Sequence, residues 1–364
     1  TRSKKRGDVN SILTTLVQHG APTDIMVDAH PHIGTNKLPN VVTEMRETIL
    51  KFGGEINFDS KLTDFIIKEN EIEGVVLENG NQIFSNHVIL ATGHSARDIF
   101  YLLNEKGIAI EKKPFALGVR VEHPQHLIDT IQYHSKEKSE FLPPASYKLV
   151  QQVKQRGVFS FCMCPGGIIA PCATAPGEIV TNGWSPSKRN NPYANSGIVV
   201  TVEDEDLEPF KAHGALAGLE FQKSIEQKAF KIAGNTNHKG QLAPAQRLSD
   251  FIKGKVSTDL PNCSYTPGVV SAPVHDIMPK AITRRLQEGF AIFGHKMRGY
   301  IDKDAIVVGV ESRTSSPVKI PRDRESLQHP DIKGLYPCGE GAGYAGGIVS
   351  AAIDGEKCAE AISK

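Results

Sequence analysis

The sequence predicts an α/β protein of about two domains, taking roughly 150 residues for each across its 364 residues. Three observations carry this. Helical periodicity opens the chain and then gives way to short strands. The run His87-Val88-Ile89-Leu90-Ala91-Thr92-Gly93 has the continuous apolar texture of a strand buried on both faces, as in a parallel sheet. Late in the chain, a short strand runs into a Gly-rich loop that opens a terminal helix, from Gly334 to Ala352.

The elements follow in order. Val9, Ile12, Leu13, Leu16 and Val17 stand at helical spacing, which predicts a helix over 8–19. His30 to Asn36 reads as a loop. Asn40 can cap a second helix carrying Val41, Met45, Ile49 and Phe52, ended by Gly53-Gly54. Leu62 to Ile67, Ile72 to Leu77 and Gln82 to Phe84 then read as three short strands, with Asn79-Gly80 as a hairpin signal. After the apolar run, Ser95 to Glu105 reads as a helix. From Pro114 the texture changes. Phe115 to Val121, Val158 to Cys162, Ile179 to Gly183 and Gly197 to Val202 read as strands joined by Gly/Pro/Asn-rich loops. Residues 206–233 predict a helix pair broken near Gly214 and Gly218, and 234–280 read mostly as loop because of five prolines. Ile282 to Phe293 reads as a short helix, Ala305 to Glu311 and Leu335 to Cys338 as strands, and Gly347 to Ile362 as the terminal helix.

Composition narrows the function. Lys plus Arg is 42 and Asp plus Glu 41, for a formal charge of +1, so the basic field of a nucleic-acid or membrane-surface protein is missing. No stretch approaches the ~20 apolar residues of a membrane helix. Six cysteines do not form a disulfide scaffold, which sets a reducing cytoplasm as the default. The opening Thr1-Arg2-Ser3-Lys4-Lys5-Arg6 reads as a solvated basic tail or linker and carries no signal-peptide core.

The segment that carries chemistry is Cys338-Gly339-Glu340-Gly341-Ala342-Gly343-Tyr344-Ala345-Gly346-Gly347-Ile348. Such a loop lets backbone N–H groups approach an anionic or electron-rich ligand, and the helix N-terminus adds partial positive charge. Gly341, Gly343 and Gly346 satisfy G-x-G-x-x-G formally. The dinucleotide fingerprint also needs a following strand and an acidic residue about 20 positions on, so they are not read as one.

Taken with the Ala91-Thr92-Gly93 strand end, this segment resembles the flavoproteins related to glutathione reductase and fumarate reductase. The chain more closely resembles the FAD-dependent dehydrogenases labelled NAD(FAD)-utilizing dehydrogenases. Pro31 to Thr35, Ala91 to Asp98, Pro114 to Arg120, Phe161 to Gly167, Ser312 to Pro317 and Tyr336 to Asp354 carry the match. The resemblance implies a Rossmann-like FAD/NAD(P)-binding domain with a three-stranded β-meander, interrupted by an α+β substrate domain. The expected division is 1–113 plus 303–364 for the cofactor and 114–302 for the substrate. The family's strand–GxGxxG–helix unit does not occur before residue 334, so the chain is expected to be the C-terminal portion of a longer flavoprotein with an incomplete cofactor domain.

Residue by residue, the resemblance places Gly339 and Glu340 at the ribityl and pyrophosphate region of FAD. Gly346, Gly347 and Ile348 would meet the flavin pyrimidine edge, where a helix N-terminus favours the negative charge gained on reduction. Ala91, Thr92 and Gly93 would pass the phosphates or ribose, and the backbone of Lys61 and Leu62 the adenine. The implied activity is an FAD-dependent oxidoreductase moving a hydride or electrons to or from a small molecule, with NAD(P)H as a candidate electron donor although no second NAD(P) motif is visible. A non-catalytic flavoprotein or scaffold is the alternative. An RNA-modifying flavoprotein is a further one, which the near-neutral charge disfavours.

Catalytic candidates are His94, Arg313 and Cys164. His30, His32 and His94 sit on expected loops, and imidazole as a side-chain type suits a general base or a structural role, with His94 first because it follows Ala-Thr-Gly. Arg313 suits either a carboxylate clamp or an inter-domain ion pair, and Arg120 is a weaker version of the same case. Cys162-Met163-Cys164 with Cys172 lacks the paired spacing of a zinc site, so no metal is expected. A redox-active or substrate-facing thiol competes there with small buried strand cysteines.

Overall fold

The computed structural model describes residues 7–137, 139–236 and 240–364. The basic segment Thr1 to Arg6 lies outside them. Asp8 caps α1 (Val9–Gln18) by accepting from the Asn10 N–H at 2.9 Å. The α1 stripe of Ile12, Leu13 and Leu16 packs with Ile25, with Val41 of α2 (Leu38–Lys51) and with Ile353 near the C-terminus. Asn40 does not cap α2. Lys37 stands at the N-cap and Pro39 occupies the first turn, where its missing N–H has no helical partner to lose.

β1 (Leu62–Lys68), β2 (Glu71–Leu77) and β3 (Gln82–Phe84) form a three-stranded antiparallel sheet. Glu69 and Asn70 both take positive φ, the hand a two-residue hairpin requires. β4 (Val88–Leu90) leads through an exposed turn into α3 (Arg97–Glu105) and the short β5 (Glu111–Lys112).

The middle of the chain builds the larger unit. Its elements are β6 (Ala116–Pro124), α4 (Gln125–Tyr133), β7 (Val150–Val153), β8 (Arg156–Cys164), β9 (Ile168–Pro171), β10 (Thr181–Trp184) and β11 (Tyr193–Thr201). A 3₁₀ segment (Asp204–Leu216) then leads to α5 (Ala217–Ile232), β12 (Ala243–Arg247), α6 (Leu248–Lys253), β13 (Val269–Ser271), α7 (Lys280–Lys296) and β14 (Ile306–Glu311). Seven strands pair in the order β13-β12-β14-β6-β11-β8-β7, antiparallel except for β12 with β13. From β6, Leu117, Val119 and Val121 enter the main core with Phe221 and Ile225 of α5 and Leu286, Phe290 and Phe293 of α7. Alternation sends Arg120 and Glu122 to the other face, equally buried. There the β9–β10 hairpin covers them: Glu122 accepts from the Ser264 N–H, and Ser264 Oγ accepts from the Ile169 N–H.

The chain returns through β15 (Val318–Lys319), which pairs with β5, to β16 (Leu335–Pro337) and α8 (Ile348–Ile362). β16 runs parallel to β4, with Tyr336 opposite Ile89. Among the described residues this parallel sheet has two strands. A second core of Phe65, Leu90, Phe100, Leu103, Val318 and Leu335 fills the space beneath it.

Several expectations need correction. Residues 234–280 hold β12, α6 and β13. The break before α5 falls at Gly214 alone, with φ 57 and ψ −123, while Gly218 lies inside α5 against Phe115 and Pro317. α7 extends beyond 282–293 at both ends. The boundary at 303 does not mark the end of the large sheet, because β14 is one of its inner strands.

Candidate functional site

The parallel pairing of β4 and β16 sets two turns side by side, Ala91 to His94 and Gly339 to Gly343. Cys338 N–H donates to the Leu90 carbonyl at 3.0 Å, which continues the ladder into the turns. Gly341 is pressed against Gly93 so closely that a Cβ would lie 2.6 Å from the Gly93 carbonyl oxygen. Gly339 and Gly343 take φ values of 75° and 89°, conformations that favour glycine. Beneath the loop, Asp354 accepts from the Gly339 N–H at 2.7 Å and from both terminal nitrogens of Arg322, at 2.6 and 3.0 Å. Arg322 also donates to the Pro337 carbonyl at 2.7 Å and stacks 3.8 Å over the Tyr344 ring. The strut of Arg322 and Asp354 thus fixes the Gly-rich loop.

Across these turns His94 Nδ1 lies 3.2 Å from Glu340 Oε1 but is not aligned as a hydrogen bond, leaving Nδ1 buried without a partner. Lys113 is close enough to feel the Glu340 charge, and burial holds its ammonium below the usual lysine range. Lys61 stands farther along, its carbonyl accepting from Glu78 N–H at 2.8 Å and its ammonium 3.3 Å from Asp98. Leu62 is partly buried against the second core. Gly346, Gly347 and Ile348 are exposed, and no side chain caps α8, so its N-terminal N–H groups face outward.

Ile348 connects this loop to a cavity of about 440 Å³. Leu13 and Leu16 of α1, the segment from His30 to Leu38, the end of β8 and Gly183 of β10 line it. The Pro31–Asn36 segment is latched onto the 185–187 loop. Thr35 N–H donates to the Ser185 carbonyl at 3.1 Å, Asn36 Oδ1 accepts from Ser187 N–H at 2.8 Å, and His32 Nε2 meets the Pro186 carbonyl at 3.0 Å. Burial lowers the His32 pKa, which favours the neutral ring there. Cys162 and Cys164 both line the cavity, Cys162 exposed and Cys164 buried. His30 lines it too, whereas His94 does not.

Arg313 is placed elsewhere. Its guanidinium bonds Glu226 at 2.9 and 3.1 Å, Glu178 at 3.1 Å and Thr174 at 2.6 Å, and Arg97 of α3 bridges the same two carboxylates. The geometry is that of the ion pair expected as its alternative role, tying α3 to α5 and to the end of β14. Arg120 is fully buried on Glu311 at 2.7 Å and Asn195 at 2.6 Å. Cys172 is half-buried, and burial pushes its thiol up. A third group, Cys338, Asp354 and Cys358, brings its donor atoms within 4.8 Å of one another. The guanidinium already seated on Asp354 opposes a cation there. Arg322, Lys113 and Arg189 were not singled out from the sequence. Nothing local marks them, because each acquires its place through long-range packing.

The fold and site define a mixed α/β protein in which a large, mostly antiparallel sheet adjoins a strand–Gly-rich loop–helix unit. Residues 114–314 match the family described as FAD-dependent protein, C-terminal domain-like, which is more than half of the chain, and the chain belongs to that family. It is 43% identical over 355 residues to a protein of Clostridium beijerinckii described as uncharacterized, an alignment covering 96% of this chain and 65% of that protein. The chain therefore spans slightly less than two thirds of that relative's length. Among solved structures, CtdE in complex with FAD and substrate 4 aligns over 89% of this chain and 55% of its own, at 9% identity and a TM-score of 0.34. The tetracycline destructase Tet(51) aligns over 48% and 37%, at 10% identity and 0.23. PqsL of Pseudomonas aeruginosa, a probable FAD-dependent monooxygenase, aligns over 67% and 56%, at 12% and 0.21. No helix among the described residues is long and apolar enough to cross a membrane.

Proposed function

We propose that this chain contributes the substrate side and part of the FAD site of an FAD-dependent oxidoreductase acting on a small molecule. The observation that carries the reading is the family match over residues 114–314. The local chemistry fits the cofactor. Gly341 packs on the Gly93 backbone where a Cβ could not be accommodated, which holds the two turns together, and the uncapped start of α8 opens beside a cavity. Ala91, Thr92, Gly93, Gly339 and Glu340 would hold the phosphate–ribityl part of FAD, Lys61 and Leu62 the adenine side, and Gly346, Gly347 and Ile348 the ring edge. Bound FAD would supply the hydride or electron transfer.

The chain's own residues do the rest. The α8 N-terminus offers oriented N–H groups to negative charge. Asp354 and Arg322 keep the Gly-rich loop in one conformation, and His94 and Glu340 stand 3.2 Å apart across the turns. The apolar floor of Leu13, Leu16 and Ile25 limits water in the cavity. The division into a discontinuous cofactor unit and an intervening substrate unit, reaching to β14, is part of the same reading, as are dehydrogenase chemistry, NAD(P)H as donor and a cytoplasmic location. The test is to purify the protein at its full natural length and measure flavin absorbance, then reduction by NADH or NADPH. Stoichiometric flavin that is reduced and passes electrons to an acceptor supports the reading. Absence of bound flavin after FAD titration would sink it.

A further inference from the structure

We propose that Cys162 and Cys164 form a thiol–disulfide exchange site for small disulfides bearing carboxylates, which Arg189 holds at the cavity. The backbone supplies the first argument. β8 pairs with β11 through Phe161 opposite Gly197 and Cys164 opposite Asn195, so Cys162 and Met163 together face Ser196. This is a β-bulge, and Cys162 takes φ 46 within it. Bulges re-aim side chains, and here both cysteines line one cavity. Cys162 is exposed and Cys164 lies buried behind it, the order in which an attacking and a resolving thiol are needed.

The surroundings favour a thiolate at the outer position. The Cys164 thiol donates to the Cys162 carbonyl at 3.4 Å, and the buried Arg120 donates to the same carbonyl at 3.3 Å. The neighbouring Cys164 thiol and the Arg120 charge, against burial, lower the Cys162 thiol to about 6, while the same pairing and burial raise Cys164. Charge selects the substrate. The cavity adjoins a second one of about 670 Å³, with His30, Met163, Pro165 and Arg189 lining both. Lys148 and Lys296 line the second, and neither lining contains an Asp or Glu. Arg189 Nε is buried without a hydrogen-bond partner. An unneutralised guanidinium beside two lysines suits a carboxylate ligand.

In the first step the Cys162 thiolate attacks one sulfur of R–S–S–R, forming Cys162–S–S–R and releasing RS⁻. The Cys164 thiol then passes its proton to a thiolate and attacks the Cys162 sulfur, releasing the second RS⁻. The products are the protein disulfide between Cys162 and Cys164, one RSH and one RS⁻, the last matched by the proton that Cys162 gave to water on ionising. This chemistry does not depend on FAD.

The test treats the reduced full chain, without added flavin, with dithiobis-nitrobenzoate, a dianionic aromatic disulfide, and with neutral bis-hydroxyethyl disulfide. The proposal expects a fast release of two thiolates per chain, and peptide mass spectrometry showing a 162–164 disulfide without retained aromatic thiol. Cys164→Ser should release one fast equivalent and keep the adduct on Cys162, and Cys162→Ser should lose the fast phase. Arg189→Gln should slow the dianionic reagent about tenfold, the loss of one charge-assisted contact, and leave the neutral one within about twofold. Arg189→Lys should recover most of that rate, which guards against a folding defect. A fast phase that survives Cys162→Ser, or a stable adduct on the unaltered protein, overturns the exchange site. Equal slowing of both reagents by Arg189→Gln overturns the recognition of carboxylates.

Discussion

Glu226→Gln should destabilise the protein by about 3 kcal/mol, the lower end of the cost of breaking a buried ion pair. Glu226 is fully buried and accepts from Arg97 at 2.8 Å, from Arg313 at 2.9 and 3.1 Å and from Ser312 Oγ at 2.6 Å. The substitution keeps the shape but leaves two guanidinium groups facing Glu178 alone. The remaining amide oxygen still accepts one bond, which is why the lower end applies. For a 364-residue chain, at about 2.1 cal/mol/K per residue, the unfolding entropy is about 0.8 kcal/mol/K, and the melting midpoint should fall by about 4 °C. Calorimetry at pH 8 measures this directly. A double-mutant cycle of Glu226→Leu with Arg313→Met should show coupling above about 1 kcal/mol. A midpoint change below about 1 °C, or additivity in the cycle, would refute the view that this network holds α3 against the large sheet.

Three other outcomes follow from the packing. Burial raises the Glu122 carboxyl from 4.5 to about 7 and lowers the neighbouring His123 from 6.5 to about 4. Stability from Glu122 is present below pH 4.5 and lost as pH rises through 7, whereas that from His123 is present above 6.5 and lost as pH falls through 4. The two slopes oppose each other, so Glu122→Gln should expose a rise of about 3 kcal/mol between pH 4 and 6.5 in urea titrations, and parallel curves for the two proteins would count against it. Gly34→Ala puts a Cβ into the Ser187 backbone at φ 96. It should cost about 2 kcal/mol and speed proteolytic cleavage near His30–Lys37, and an unchanged cleavage rate would contradict the latch. Gly341→Ala should force apart the turns at Gly93 and Gly341 and weaken FAD binding at least about tenfold, or about 1.4 kcal/mol, in a fluorescence titration, and an unchanged affinity would remove these turns from the FAD site.

Much of the fold is legible because its signals are local. Asn79-Gly80 announces the β2–β3 turn, where Asn79 Oδ1 accepts from Asn81 N–H at 3.0 Å and Gly80 takes φ 84. The stripe Ile12, Leu13 and Leu16 marks α1. β12 is hidden by Pro244, since proline argues against an inner strand. The structure resolves this by starting the β14 pairing at Ala245, so the missing N–H of Pro244 falls beyond the end of that ladder. At the site, the Gly-rich loop and the Ala-Thr-Gly turn are readable as pieces. Their contact is not, because it depends on a parallel pairing between distant strands. Arg313 shows the same limit. Its sequence neighbours do not distinguish a substrate clamp from an ion pair, and only the arrival of Glu178 and Glu226 from other elements decides its surroundings.

That parallel pairing also bears on the order of folding. β4 and β16 can meet only after the whole unit between them has been made, and the entropy of closing so long a loop rises with the logarithm of its length. The large sheet shortens that search. Its strand β6 enters soon after β4, β14 leaves not far before β16, and the two lie side by side, Val307 opposite Val121. Once this sheet has formed, the flanking segments already emerge from neighbouring strands, and the effective loop is a fraction of its sequence length. The unit between the two turns therefore acts as their folding template. A mutation deep in its core, such as at Phe290, should delay formation of the Gly93–Gly341 contact even though it touches neither residue.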